Sequence, residues 1–566
     1  MFLLTSDAHT DACRRTLERM RRSLEPLAPG PIVLERIGSR VLGWFRARQS
    51  DNLHVFRDGC VVGKLVPGEA ASDVAIRHAE ALPDAGHPLA RSVAVQAAAG
   101  GTGQVRVVPR HCAGAFFDGE DVSDMQLLLA DLRGRRPAPE SVALLASVGY
   151  FPGDLTLFRE VRRVPFLHAL EPGRAPERFG RLPMRASDDA EMVRRLVAIL
   201  PRPANGSLAI SGGCDSRFVL GLLLRAGNGV ELVRLADDED AVARRLAGEL
   251  ALPLRIVDAA GSNLAGPLYA LMTDGQIYSG GGHYWRLRSS LRSASLLYLG
   301  LFADSILKNA FRAAWKNPLA GGSLEERLIR DALLSRMRSR EAGLRSGSRR
   351  DELAALLRTE LAGTWEHGEL ASPKQRANWF YYVHRGLRWT AAHTADVDFF
   401  AEVVLPLSDL EATASGLRSS AWSNFHNARV RTLNRSLLPA VETGYANGQS
   451  ARVARGPEGA AGKLFYEFGA RGLAHLRSKR RVGRAPAPPP AAGRPASSSS
   501  STGEEARGLS AYFDRSLAAL LADSSCSAPV RRAAVTVNEV LRYLDGESAS
   551  AAAGVGAAAA SGGGPP

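Results

Sequence analysis

Apolar and polar positions over the first 185 residues fall into short runs. Arg40–Phe45, Leu53–Phe56, Cys60–Val66 and Val105–Val108 are apolar-rich stretches separated by Gly, Asp and Pro. Runs of that length, bounded by turn formers, predict strands. Asp121–Leu132 and Ser141–Val148 carry helical patterns instead. This first region is expected to be β-rich.

From about residue 186 the pattern changes period. Ser207–Ile210 is an apolar strand, and Asp215–Ala226 has helical periodicity that ends at Gly227. Val230–Leu235, Glu239–Leu250 and Leu254–Val257 continue as strand, helix and strand. Strands and helices alternating at this spacing predict a parallel α/β sheet covered on both faces. Residues 320 to 440 read as mostly helical. Arg484–Ala506 contains Pro-Ala-Pro-Pro-Pro and a run of five serines. It cannot bury a core and reads as a disordered linker. A short amphipathic helical segment and an Ala/Gly/Ser/Pro tail follow. The expected division is 1–185, 186–480, a linker at 481–507, a helical segment at 508–546 and a tail at 547–566.

A chain of 566 residues is too long for one core. Its apolar runs near Val142–Val148 and Ala294–Ala303 are too short to span a bilayer. Met1–Thr10 lacks the basic-then-apolar layout of a secretory signal, so a cytoplasmic location with no membrane partner is the expectation. Cys13, Cys60, Cys112, Cys214 and Cys526 form no CxxC pair, which argues against a disulfide framework and a thiolate zinc site. The net charge is +14, yet only six of the 72 basic residues are lysine and arginine is spread throughout. Biased composition explains that balance, and no specific nucleic-acid partner is expected.

The segment with most chemistry is Ser207-Leu-Ala-Ile-Ser211-Gly212-Gly213-Cys214-Asp215-Ser216-Arg217. An apolar strand runs into two glycines, and a serine opens a helix. Glycine lets the backbone approach an anion closely. Free N–H groups and the helix dipole favour phosphate there. Ser211 and Ser216 add hydroxyls. Asp215 has the wrong sign beside phosphate unless a cation lies between them, and Mg²⁺ bridges carboxylate to phosphate. The bland alternative is an ordinary Gly-rich turn between strand and helix. A Walker loop is excluded because GxxxxGK is absent.

This loop resembles the SGGxDS pyrophosphate loop of the N-type ATP pyrophosphatases. Three further segments resemble the asparagine synthetase family within that group. They are Gly149-Tyr-Phe-Pro-Gly-Asp-Leu-Thr-Leu-Phe158, Leu299-Gly-Leu-Phe-Ala-Asp304 and Glu402-Val-Val-Leu-Pro406-Leu-Ser-Asp409. The resemblance covers about residues 1–450. It implies an amidotransferase-like β-sandwich of the N-terminal-nucleophile type, followed by a PP-loop parallel α/β domain with a helical C-terminal part. It implies ATP and Mg²⁺ as cofactors, with Asp215 and Asp304 holding Mg²⁺ and pyrophosphate. Ser211, Gly212, Gly213 and Ser216 would form the loop, with Gly300 and the backbone near Leu208 and Val233 beside the adenosine. Asp304 has a helix N-cap as its alternative role. Glu402 resembles an acid that helps deprotonate the attacking amine in β-lactam synthetases; its alternative is a structural ion pair.

The departures narrow the reading. Phe2 stands where glutamine-using members carry a nucleophilic cysteine, so glutamine hydrolysis is not expected. Leu301 and Val404 replace family residues, and the lysine expected a few positions after Leu438-Pro439 is missing. Lys463 and Lys308 are candidate replacements, each weighed against an ordinary surface lysine. The implied activity is a ligase that adenylates a small-molecule or peptide carboxylate, releases pyrophosphate and passes the acyl group to an amine acceptor. β-Lactam synthetases and lasso peptide cyclases also lack the cysteine. The alternatives are an asparagine synthase and a degenerate ATP-binding partner protein.

Overall fold

The computed structural model describes residues 1–48, 52–56, 59–63, 92–97, 105–109, 114–178, 188–201, 206–237, 239–258, 266–276, 286–287, 291, 296–308, 322–329, 346–362, 370, 372–419, 427–445 and 528–546. The expected linker at 481–507, residues 508–527 of the expected helical segment and the tail at 547–566 lie outside them.

The first part holds two antiparallel sheets. One has six strands: β1 (Phe2–Ser6), β2 (Val33–Ile37), β3 (Arg40–Trp44), β8 (Phe116–Phe117), β9 (Val122–Ser123) and β10 (Arg162–Arg163), in the order β10-β8-β9-β1-β3-β2. The other joins β4 (Leu53–Phe56), β5 (Gly59–Gly63), β6 (Ser92–Ala97) and β7 (Val105–Pro109) in sequence order. Side chains alternate faces along a strand. Phe2 and Leu4 of β1 therefore share a core with Val62, Val95 and Val107 of the second sheet. Leu3 faces the other way, into a core with Cys13, Leu17 and Met20 of the helix Thr10–Ser23. A small hairpin, β11 (His168–Ala169) with β12 (Glu177–Arg178), closes this part.

The second part is built on a parallel sheet of β13 (Gly206–Ala209), β14 (Val230–Leu235), β15 (Leu254–Val257), β16 (Leu296–Tyr298) and β17 (Glu402–Val404). Its order is β15-β14-β13-β16-β17. The chain moves outward from β13 through β14 to β15, then returns to the other side of β13 with β16 and β17. In open parallel sheets, such a reversal of strand order leaves a crevice at the carboxyl ends of the strands. Here the crevice lies beyond β13 and β16. This is a Rossmann-like α/β arrangement.

One expectation needs correcting. The helix expected from Asp121 begins at Gln126, because Val122–Ser123 is paired to β1 and Asp121 accepts a 2.8 Å hydrogen bond from Thr5 Oγ1. The last helix, Ala528–Leu544, lies within the expected amphipathic segment and packs on the core of the earlier elements. Val537 and Val540 are fully buried in a core shared with Leu144, Leu271 and Met272. Among the described residues no helix is long and apolar enough to cross a membrane.

Candidate functional site

The loop after β13 follows from local sequence. Ile210 is held to β14 by a 2.9 Å hydrogen bond from its N–H to the Val233 carbonyl. The chain then leaves the sheet through Ser211, Gly212 and Gly213, and the helix Cys214–Arg225 starts at once with Gly213 as its N-cap. The loop is tied by its own serines. Ser216 Oγ accepts from the Ser211 N–H at 3.1 Å, and the two hydroxyls lie 3.0 Å apart. The Gly213 N–H points at Ser211 Oγ across 3.3 Å. The Gly212 N–H donates 2.7 Å to the Glu239 carboxylate, at the end of the β14 connection.

Gly300, just past β16, rests on this loop. A Cβ there would lie 2.6 Å from Ser216 N and 2.8 Å from the Asp215 carbonyl carbon. Only glycine permits that approach. Two residues on, Phe302 takes a left-handed φ of 73° as it opens the short turn of helix Ala303–Ile306. Its ring packs against Gly386, where a Cβ would come within 2.7 Å. The turn presents Asp304 toward Asp215 across the crevice.

Lys308 joins the two carboxylates. Its Nζ is 2.6 Å from Asp215 Oδ2 and 3.0 Å from Asp304 Oδ1. Tyr381 donates its hydroxyl to the other oxygen of Asp304 at 2.8 Å. Arg385 lies one turn on, 5.6 Å from the Tyr381 ring. Burial pushes the Lys308 ammonium down, but Asp304 and Asp215 outweigh it and hold its pKa well above the ordinary value. Burial pushes the Asp304 carboxyl up, and Lys308 with the Tyr381 hydrogen bond brings it below the ordinary value. Asp215 goes the other way: burial raises it, and Lys308 offsets only part.

The remaining expected residues lie on the strands of the sheet. Leu208 and Val233 are fully buried, on β13 and β14. Glu402 pairs with Leu296 at the amino end of β16, whereas Gly300 and Asp304 follow its carboxyl end. The register therefore does not bring Glu402 together with Asp215 and Asp304. Lys463 lies outside the described residues. The stretch after Pro439 is anchored to the loop helix: Arg217 donates to the carbonyls of Thr443 at 2.6 Å and Gly444 at 2.9 Å.

Two carboxylate oxygens converge on one point at the lip of a Gly-rich loop. Hard oxygen donors in that number suit Mg²⁺, which takes one or two carboxylates and leaves its other positions to phosphate and water. Among the described residues no group of three or more His, Cys, Asp or Glu forms a fuller metal cage. The described cysteines offer no nucleophile. Burial pushes the thiols of Cys13, Cys60 and Cys214 up to about 12. Phe2 is itself fully buried between the two antiparallel sheets.

Comparison with protein-family models gives no match, and comparison with curated proteins gives none either.

Proposed function

We propose that this chain is an AMP-forming ATP-dependent ligase of the asparagine synthetase kind, acting without glutamine hydrolysis. The observation that supports it most is the convergence of the Ser211–Ser216 loop, Gly300 and Asp304 at the strand-order reversal of a parallel sheet. In this reading the first part is amidotransferase-like and the parallel sheet belongs to the PP-loop group. A substrate carboxylate oxygen attacks the α-phosphorus of ATP, the bond to the departing pyrophosphate breaks, and an amine then displaces AMP from the acyl-adenylate.

The serine hydroxyls and the amino end of the helix Cys214–Arg225 would face the pyrophosphate, with the Gly212 N–H joining them once Glu239 releases it. Asp215 and Asp304 hold Mg²⁺, which when bound neutralises charge on the leaving group. Gly300 lets the chain after β16 lie directly on the loop backbone at Asp215–Ser216, which fixes the loop beside the adenosine side of the site. Most of the rate comes from preorganised charge at the pyrophosphate.

Variants test the pairing of the two aspartates. Asp215→Ala should reduce turnover by about a hundredfold or more, the scale of one major electrostatic stabiliser. Asp304→Asn should lower turnover and raise the Mg²⁺ concentration needed, with nearly unchanged thermal stability. The helix there is capped by Phe302 and not by Asp304, so normal turnover with a large loss of stability would assign Asp304 a structural ion-pair role instead.

A further inference from the structure

Lys308 is four residues after Asp304, and an aspartate–lysine pair at that spacing is ordinary on a helix surface. Its second partner is not ordinary. Asp215 is 93 residues away in sequence, on the loop after a different strand, and its 2.6 Å contact to Lys308 is the shorter of the two. One ammonium therefore sits where the loop after β13 and the turn after β16 meet. Its side chain is 21% exposed. Two carboxylates and one ammonium leave these three groups with one negative charge in excess, so the carboxylates can still attract a further cation. The neighbouring loop carries its own counter-charge: the Gly212 N–H, which would face a phosphate oxygen, is taken by the Glu239 carboxylate.

We propose that Lys308 is the resident cation of this site. In the ligand-free protein its ammonium holds Asp215 and Asp304 together at the position a divalent ion would take. When a magnesium–polyphosphate arrives, the ammonium gives up those carboxylates to the metal and turns onto the phosphate oxygens. The site then takes its metal only together with a di- or triphosphate, and Lys308 becomes a phosphate-contacting catalytic residue. This rests on the nucleotide reading above. It supplies the cation that the stretch after Pro439 does not carry within the described residues.

Inorganic pyrophosphate and free Mn²⁺ serve as probes, so the unidentified carboxylate is not needed. Titration calorimetry of the full chain with pyrophosphate and Mg²⁺ should show binding. Lys308→Met should weaken it by about tenfold or more, the equivalent of about 1.4 kcal/mol. Lys308→Arg should keep most of it, because a cation remains in reach. Free Mn²⁺, followed by its electron paramagnetic signal without phosphate, should bind Lys308→Met at least about tenfold more tightly than wild type, since the variant exposes two carboxylates without their cation. A merely structural lysine would not produce that gain. Melting temperatures establish that the variants fold; if Lys308→Met does not, Lys308→Gln takes its place in both titrations. Wild type that binds pyrophosphate, with the variant binding it equally or showing no gain for Mn²⁺, overturns this inference alone. Wild type that binds neither MgATP nor magnesium pyrophosphate overturns the nucleotide reading and this inference with it.

Discussion

At the scale of single residues, the loop was the most legible feature, because its chemistry is contiguous. Ser211 to Ser216 lie within six positions, and the strand before them and helix after them are strong local patterns. Gly300 and Asp304 were found by a second short pattern. Tyr381 and Glu239 carry no sequence signal for the site, because each comes from a different element and reaches it only through the fold. Lys308 was a candidate by residue type alone. Glu402 was placed by a match to a motif, and no local pattern states which end of a strand faces the crevice. Gly300 gives the sharpest test at this scale. A Cβ there meets main-chain atoms of Asp215 and Ser216, which cannot rotate away. Gly300→Ala should displace the loop at a cost of about 1–3 kcal/mol, the usual range for overpacking. The expected result is loss of affinity for MgATP by about tenfold or more, measured by titration, in a protein that still folds. Unchanged affinity would mean that the loop does not form the nucleotide site.

At the scale of elements, strand and helix existence followed from period, whereas ends did not. Val230–Leu235 and Leu254–Val257 match their expected bounds because turn formers stand close on either side: Asn228-Gly229 and Asp237 around the first, Pro253 and Asp258 around the second. The helical pattern at Asp121–Leu132 does not show where the helix starts, since Val122 and Ser123 pair with a distant strand. The helix Thr10–Ser23 interrupts the β-rich region, and Cys13, Leu17 and Met20 mark its buried face. The segment Tyr381–Thr390 winds as a π-helix, a rare form that often marks functional positions. It carries Tyr381 at the site and, on the same turns, grips the first part of the chain. His384 Nδ1 accepts from the Gly153 N–H at 3.0 Å, and Arg388 donates to the Gly153 carbonyl at 3.0 Å. Burial, with Arg388 beside it, holds His384 well below its ordinary pKa of 6.5, so the folded protein keeps it neutral. The unfolded chain takes up that proton as pH falls through about 6.5, so it binds more protons than the folded chain. Stability contributed by neutral His384 is therefore present above pH 6.5 and is lost as pH falls below it, by up to about 1.4 kcal/mol per unit. His384→Gln should flatten the fall in denaturation midpoint between pH 7 and pH 5.5. Equal slopes for the two proteins would show that the histidine is protonated in the folded state.

At the scale of the whole molecule, one apolar core joins the first and second parts. It draws on the six-stranded sheet, the helices beside it and the final helix. The sequence showed that final helix as an amphipathic segment and could not show what it packs against, because its partners lie hundreds of residues earlier. Arg136 pairs with Asp545 at 2.6 Å, and Tyr543 points its hydroxyl at Asp131 across 3.4 Å. Val537→Asp would place an unpaired charge in that core and should cost at least about 3 kcal/mol, read as a lower denaturation midpoint of the full chain. A negligible change would mean that the helix is not part of the cooperative core.

The same architecture places the loop and its two aspartates at one crevice, and the proposed chemistry breaks one particular bond of ATP there. Phosphorus-31 NMR identifies that bond directly. Purified full-length protein is incubated with ATP, Mg²⁺ and a panel of small-molecule and peptide carboxylates, with hydroxylamine as a general amine acceptor. The proposed mechanism predicts AMP and pyrophosphate in equal amounts with the carboxylate that is accepted, and neither product with Asp215→Ala. ADP and orthophosphate as the products would contradict it.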